Sequence, residues 1–413
     1  MTERLYYTDP YATRFSAHVI ETLSYDDHPA VILDRSAFYP TSGGQPADRG
    51  RLGNATVLDV VEREADGAVV HVLSDSLTAR KLQGEIAWER RFDHMQQHTG
   101  QHVLSAAFER MLGASTVGFH LGAEVSTIDL DVEDLELEQI LPIEAFANRV
   151  VWDNRAVEIR LVDEDSLEDL ATDAPPDVEG PIRLIQISET SSFDNGYFDV
   201  NPCGGTHVSH TGEIGLIKIV GLEHRGDKTR IAFLCGGRAL RDYEARRRIT
   251  STLANRLTVG TSELNGAIER LQDENKELRH SERALRERLL DMESDQLVEK
   301  AVACGPYRVV GTVYQGRSPD ELRTLARKVA DHRNIVILLF SVNDRTHICF
   351  ARHETLDLDV NQLLQEACAQ LDGKGGGRPE VAQGSAPPAD ADEVTHVLRR
   401  LQASLERGER EAE

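Results

Sequence analysis

The chain has 413 residues, enough for two to four domains at the usual domain size. Apolar residues make up 40% and charged residues 28%, a globular composition that excludes wholesale disorder, and no run approaches the roughly 18 apolar residues of a membrane-spanning helix. The net charge is −24 and only seven of the 46 lysines and arginines are lysine, which fits either a halophilic, high-salt cytoplasm that screens self-repulsion or an ordinary acidic protein.

The first residues, MTERLYYTDP, lack the basic and apolar segments of a secretory signal, so a cytoplasmic address without a membrane partner is expected. The five scattered cysteines make no disulfide framework. Residues 1–90 read as short strands. Ala30 to Leu33 is an apolar run, and 55–61 and 67–73 flank a turn at Asp66-Gly67, so a small β-barrel domain is expected. Residues 91–113 change period: Val103, Leu104, Ala107, Phe108, Met111 and Leu112 recur at helical spacing, and Gly113 stops the run. Strand-like segments at 115–130, 156–162, 182–187, 213–222 and 229–234, with a helix near 136–153, make 91–236 an α+β core.

Residues 237–300 nearly lack Gly and Pro. Leu257, Leu264, Leu271, Leu278, Leu285 and Met292 fall seven apart, with Thr261, Ile268, Asn275, Glu282 and Leu289 in the companion positions. One long coiled-coil helix spanning ~50 Å from Leu257 to Met292 is predicted, with Asn275 setting register. The heptads do not say whether the seam packs on its own chain or on a second copy. Residues 301–384 alternate strand (307–313), helix (319–332), strands (335–342 and 346–351) and helix (360–371), an α/β order closed by a Gly-rich loop at 373–379. A linker at 385–392 and a charged helix fill 385–413.

Two pairs carry chemistry. His98 and His102, one helical turn apart, share a face and can meet one metal ion. Cys203 and His207 flank two glycines that let thiolate and imidazole converge. One Cys and three His make a zinc site of one ion per chain, although either pair alone also reads as ordinary core or surface residues. Closed four-ligand zinc is usually structural, so the metal is either catalytic through a labile ligand or a positioning group. His94, one turn before His98, is a substitute ligand, a supporting partner or a plain surface histidine. Thr41, Ser42 and Gln45 around Gly43-Gly44 offer polar contacts on a backbone that a ligand can approach; alone they read as a turn.

Phe38-Tyr39-Pro40 with Ser42-Gly43-Gly44-Gln45, then His98/His102, then Pro202-Cys203-Gly204-Gly205-Thr206-His207 resemble the editing domain of alanyl-tRNA synthetase. The whole chain resembles its free-standing relatives, the long AlaX trans-editing proteins, and the last domain resembles the DHHA1 module through Gly375-Gly376-Gly377-Arg378-Pro379. The resemblance implies an aminoacyl-tRNA deacylase acting on tRNA(Ala) mischarged with serine or glycine, with zinc on His98, His102, Cys203 and His207. It implies no alanine–tRNA ligase, since no aminoacylation domain precedes the barrel. The family usually has threonine two residues before Phe-Tyr-Pro, where this chain has Ser36. Ser36, Thr41 and Gln45, with Gly43 and Gly44, are the candidate substrate contacts. Lys374, Gly375, Gly376, Gly377 and Arg378 are candidate tRNA contacts, although a Gly-rich loop also serves simple packing. A homodimer through the long helix or the C-terminal domain is the protein partner considered. The rivals are a same-fold deacylase for another aminoacyl-tRNA and a non-catalytic tRNA-binding or dimerisation protein with structural zinc.

Overall fold

Residues 2–133, 135–163, 182–190 and 196–407 are described by a computed structural model. They form two compact units that meet in sequence between Asn255 and Arg256.

The N-terminal strands are β1 (Glu3–Arg4), β2 (Arg14–Tyr25), β3 (His28–Leu33), β4 (Arg35–Ser36), β5 (Gly50–Leu52), β6 (Ala55–Arg63), β7 (Ala68–Leu73) and β8 (Lys81–Ile86). Six of them pair in the order β2-β3-β7-β6-β5-β8, and β8 pairs back with β2, so the ladder closes on itself. Phe15, Leu33, Phe38, Leu52, Val57 and Leu73 fill the interior. Period-2 alternation puts these side chains on one face, and closure removes exposed sheet edges.

Helix α1 (Trp88–Leu112) follows, capped by Gly113 in the left-handed conformation. It is buried from His94 to Leu104 because neighbours cover it on every side. Those neighbours come from β9 (Thr116–Leu121), β10 (Ser126–Leu130), α2 (Leu137–Trp152), β11 (Val157–Val162), β12 (Ile182–Ser188), β13 (Tyr197–Pro202), β14 (Ile217–Arg225) and β15 (Lys228–Cys235). They make two antiparallel sheets, β14-β15-β10-β9 and β11-β12-β13. Val103, Leu104 and Phe108 of α1 share one core with Ile128, Ile140, Ile185 and Phe233. The strand expected at 213–222 starts late. Thr211–Ile214 is a 3-10 turn, held by the Glu213 carboxylate on the His210 N–H and ended by Gly215 at φ +82°.

Two expectations about the helical region are corrected. The core does not end at 236: α3 (Gly236–Leu257) belongs to the first unit, where buried Arg238 pairs with Asp93 and donates to the Gly122 carbonyl at 2.7 Å. Nor is there one long helix over 237–300. Thr258 at φ +56° ends α3, and a 3-10 turn at Thr261–Glu263 separates it from α4 (Leu264–Glu299). A β-branched residue in the left-handed region cannot continue a helix. Along α4, Leu271, Leu278, Leu285, Leu289 and Met292 are at least half exposed, whereas Leu290 and Leu297 are buried in the second unit's core.

The second unit adds β16 (Val302–Cys304), β17 (Tyr307–Gln315), α5 (Pro319–Ala330), β18 (Ile335–Val342), β19 (Thr346–Arg352), α6 (Val360–Gln370), β20 (Lys374–Arg378), β21 (Val381–Ala386) and α7 (Ala391–Arg407). The sheet order is β16-β17-β18-β19-β21-β20, with β17 and β18 parallel. The expected Gly-rich loop is in fact edge strand β20, paired along its length with β21. The expected linker at 385–392 is shorter, because Ser385 and Ala386 are still in β21. The terminal helix is no appendage: Val394, Leu398, Leu401 and Leu405 lie in the same core as Phe340 and Phe350. Among the described residues no helix is long and apolar enough to cross a membrane.

Candidate metal centre

Helix α1 carries His98 and His102, and the turn after β13 carries Cys203 and His207. The turn can press against α1 because Gly205 has no side chain: a Cβ there would sit 2.1 Å from Cε1 of His98. Arg183 fastens the same turn, donating to the carbonyls of Cys203 and Tyr7.

One ligand atom from each of the four residues lies within 4.8 Å of the other three. Cys203 Sγ is 3.3 Å from Nε2 of both His98 and His207. Each imidazole is anchored on its far side. His98 Nδ1 meets Gln45 Oε1 at 2.8 Å, His102 Nδ1 meets Asp199 Oδ2 at 2.9 Å, and His207 Nδ1 meets Thr99 Oγ1 at 3.2 Å. An amide or carboxylate oxygen can only accept, so His98 and His102 carry a proton on Nδ1 and turn Nε2 inward. Gln45 is itself fixed: its Nε2 donates to Thr206 Oγ1 at 2.9 Å and its Oε1 accepts from the Thr206 N–H at 3.1 Å.

The electrostatics suit a cation. Burial pushes the Cys203 thiol up, but the facing imidazoles of His98 and His207 outweigh it and hold the thiol well below its usual value. Burial keeps His207 well below the usual histidine value. Burial also lowers His102, yet its bonds to Asp199 and Cys203 win and raise it to about 10, so its Nε2 gives up a proton when a cation binds. A thiolate with three imidazole nitrogens is a borderline-soft donor set that fits tetrahedral zinc. His102 and Cys203 also line a cleft of about 350 Å³, shared with Phe119, Glu109 and Asp199, so the centre is open on one side.

The other residues singled out in the sequence scatter. Gln45 reaches the centre through His98. Gly44 packs against Phe119, its carbonyl accepting from the Leu121 N–H at 3.0 Å, while a Cβ on Gly43 would meet nothing within 4 Å. Thr41 is exposed, and its hydroxyl accepts from the Ala47 N–H. Ser36 is fully buried among the N-terminal strands. Its hydroxyl donates to His71 Nε2 at 2.7 Å and accepts from the Phe38 N–H, so it is committed away from the cleft. His94 is no surface residue: it is 2% exposed and stands outside the four-residue cluster. Lys374 to Arg378 lie in the other unit and are exposed.

Sequence reading missed Thr99, although it sits inside the His98–His102 motif, and Asp199, four residues before Cys203. It also missed the buried pair of Arg91 and Asp48. Arg91 Nε meets both Asp48 oxygens at 3.0 Å, its other nitrogens donate to the carbonyls of Pro10 and Ala37, and Asp48 accepts from the Tyr39 N–H at 2.7 Å. This pair clamps the 37–48 segment, and Gln45 with it, onto α1.

Comparison with known proteins fits this arrangement. Residues 182–231 match the threonyl and alanyl tRNA synthetase second additional domain, and residues 306–404 match the DHHA1 domain. The chain is 31% identical to alanyl-tRNA editing protein Aarsd1-A of Xenopus laevis over 91% of this chain and 89% of that one. It is 29% identical to alanyl-tRNA editing protein AlaX-L of Pyrococcus horikoshii over 98% of this chain and the full length of that one. The chain belongs to the long-form AlaX family of alanyl-tRNA editing proteins. An alanine–tRNA ligase of Pyrococcus furiosus is 32% identical over 98% of this chain, but the match spans only 44% of the ligase. As a long-form AlaX protein, the chain has its second additional domain match over β12 to β15, which includes Cys203 and His207.

Proposed function

We propose that this chain is a zinc-dependent trans-editing hydrolase that removes serine from mischarged tRNA(Ala), with glycine as a second substrate. The observation that carries the reading is the convergence of His98, His102, Cys203 and His207 beside an open cleft, in a chain related over nearly its whole length to alanyl-tRNA editing proteins. Bound zinc supplies Lewis-acid polarisation of the ester carbonyl or of the attacking water. Gln45, Asp199 and Thr99 hold the imidazoles in the tautomer and direction that binding needs. Serine differs from alanine by one hydroxyl, and a site that hydrogen-bonds it discriminates far better than one that merely accommodates it. The acceptor end of tRNA is single-stranded and enters a cleft without unpairing. Exposed Lys374 and Arg378 begin and end β20 and serve as phosphate contacts in an otherwise acidic protein. The heptad seam exposed on α4 supports pairing with a second copy, which sedimentation tests directly.

The opening of the cleft onto His102 and Cys203 favours this reading over a purely structural zinc. Deacylation assays on seryl- and alanyl-tRNA(Ala), with and without a chelator, test it. Serine should be released, alanine spared, and the activity lost with the metal. Equal rates on both substrates would remove the editing reading, and full activity in the metal-free protein would remove the zinc.

A further inference from the structure

Phe119 stands where β9 passes the metal centre. It is 39% exposed, although Leu121, two residues on and on the same strand face, is 1% exposed. Its ring centroid lies 5.8 Å from that of His98. On another side it meets Gly44, where a Cβ would come within 3.0 Å of the ring. The ring is therefore braced by an imidazole and a bare backbone, and the rest of its surface is open. It lines the cleft that His102 and Cys203 also line, and among the described residues it is the one carbocyclic aromatic there; Ser105, Glu109, Thr116 and Asp199 make the walls polar.

These features narrow what the ring can hold. With Asp199 paired to His102, the exposed carboxylate of Glu109 is left to repel phosphate, so this wall does not take the nucleic-acid backbone. A neutral base has a π-face that stacks on an aromatic ring whatever its sequence. The ester of an aminoacyl-tRNA is carried on the terminal ribose, so when the ester reaches the metal centre the attached adenine lies at the cleft mouth.

We propose that Phe119 is the stacking platform for the terminal adenine of the aminoacyl-tRNA, a positioning contact that seats the ester at the metal centre. The inference rests on the deacylase reading above. The test uses the full zinc-loaded chain. Phe119→Ala should raise KM for seryl-tRNA(Ala) ten- to a hundred-fold with kcat changed less than about three-fold, and Phe119→Trp should restore KM. Zinc content should stay at one per chain in both. Calorimetry with 3′-serylamino-3′-deoxyadenosine should show the same loss for Phe119→Ala. The corresponding abasic ribose analogue should bind wild type and variant alike. An unchanged KM, or equal losses on the adenine and abasic analogues, overturns the stacking role and leaves the deacylase reading intact. A wild-type chain that fails to cleave seryl-tRNA overturns the deacylase reading, and this inference with it.

Discussion

Two glycine-rich segments, one in each unit, look alike in sequence and use glycine for different reasons. Ser42 to Gln45 is a tight turn in which Gln45 donates its N–H to the Ser42 carbonyl at 2.9 Å, with Gly43 at φ +51° and Gly44 at φ +76°. Both angles lie in the left-handed region, so the chain needs glycine there for its dihedrals, and at Gly44 also for its closeness to Phe119. Gly375 to Gly377 is extended strand. A Cβ at Gly375 would lie 2.6 Å from the Gln383 carbonyl oxygen and one at Gly377 2.3 Å from that of Val381, yet one at Gly376 would meet nothing closer than 4.0 Å. Here the need follows the period of the strand and concerns space alone. The first segment is also held by side chains at the candidate metal centre, the second by a backbone ladder at a sheet edge.

The largest effect should come from removing what the first segment leans on. Cys203→Ala or His98→Ala should bring zinc from one per chain to near none by elemental analysis. Gln45→Leu should keep the fold and weaken zinc affinity by about 10–100-fold in a competition titration, as loss of an orienting partner does. Full zinc in both ligand variants would dissolve the assignment.

The clamp comes next. Arg91→Met leaves Asp48 buried without its counter-charge, and denaturant unfolding should show a loss of about 3–5 kcal/mol. A loss below about 1 kcal/mol would mean that the segment is held by its turn alone. Acid should then separate the units. Burial lowers His71 to about 4, below the ordinary histidine value, so the neutral ring is the folded form. The unfolded chain takes up the proton first, and stability falls as pH drops from about 6.5 towards 4. At pH 5 the loss should be about 2 kcal/mol relative to neutral pH. Urea midpoints of the metal-free first unit's signal should fall at least accordingly, and His71→Asn should reduce that slope, since buried His94 and His207 are lowered as well; a slope unchanged by the variant would exclude His71 as a source.

The smallest effects test the glycines themselves. Gly377→Ala should destabilise by about 1–3 kcal/mol through its clash with backbone, and Gly44→Ala by a similar amount through strain. Gly376→Ala should stay within about 0.5 kcal/mol. If Gly376→Ala costs as much as Gly377→Ala, the two-residue period of the strand's crowding is wrong.

The sequence by itself determined the features that repeat over one turn or one pleat. Helix α1, the α/β order of the second unit and the two candidate ligand pairs were legible because spacing of four residues, or of two, fixes a face. What tertiary structure decided has no local period. Gln45 finds His98 across 53 residues, Asp199 finds His102 across 97, and Thr99 finds His207 across 108. Ser36 turned inward to His71, although its place in the motif pointed to the substrate. The heptads ran unbroken through Thr258, since hydrophobic spacing does not register a single positive φ. The run of three glycines became a strand because β21 was there to pair with it. Partners that far apart are selected by which surfaces meet when the core packs, and no window of the chain contains that information.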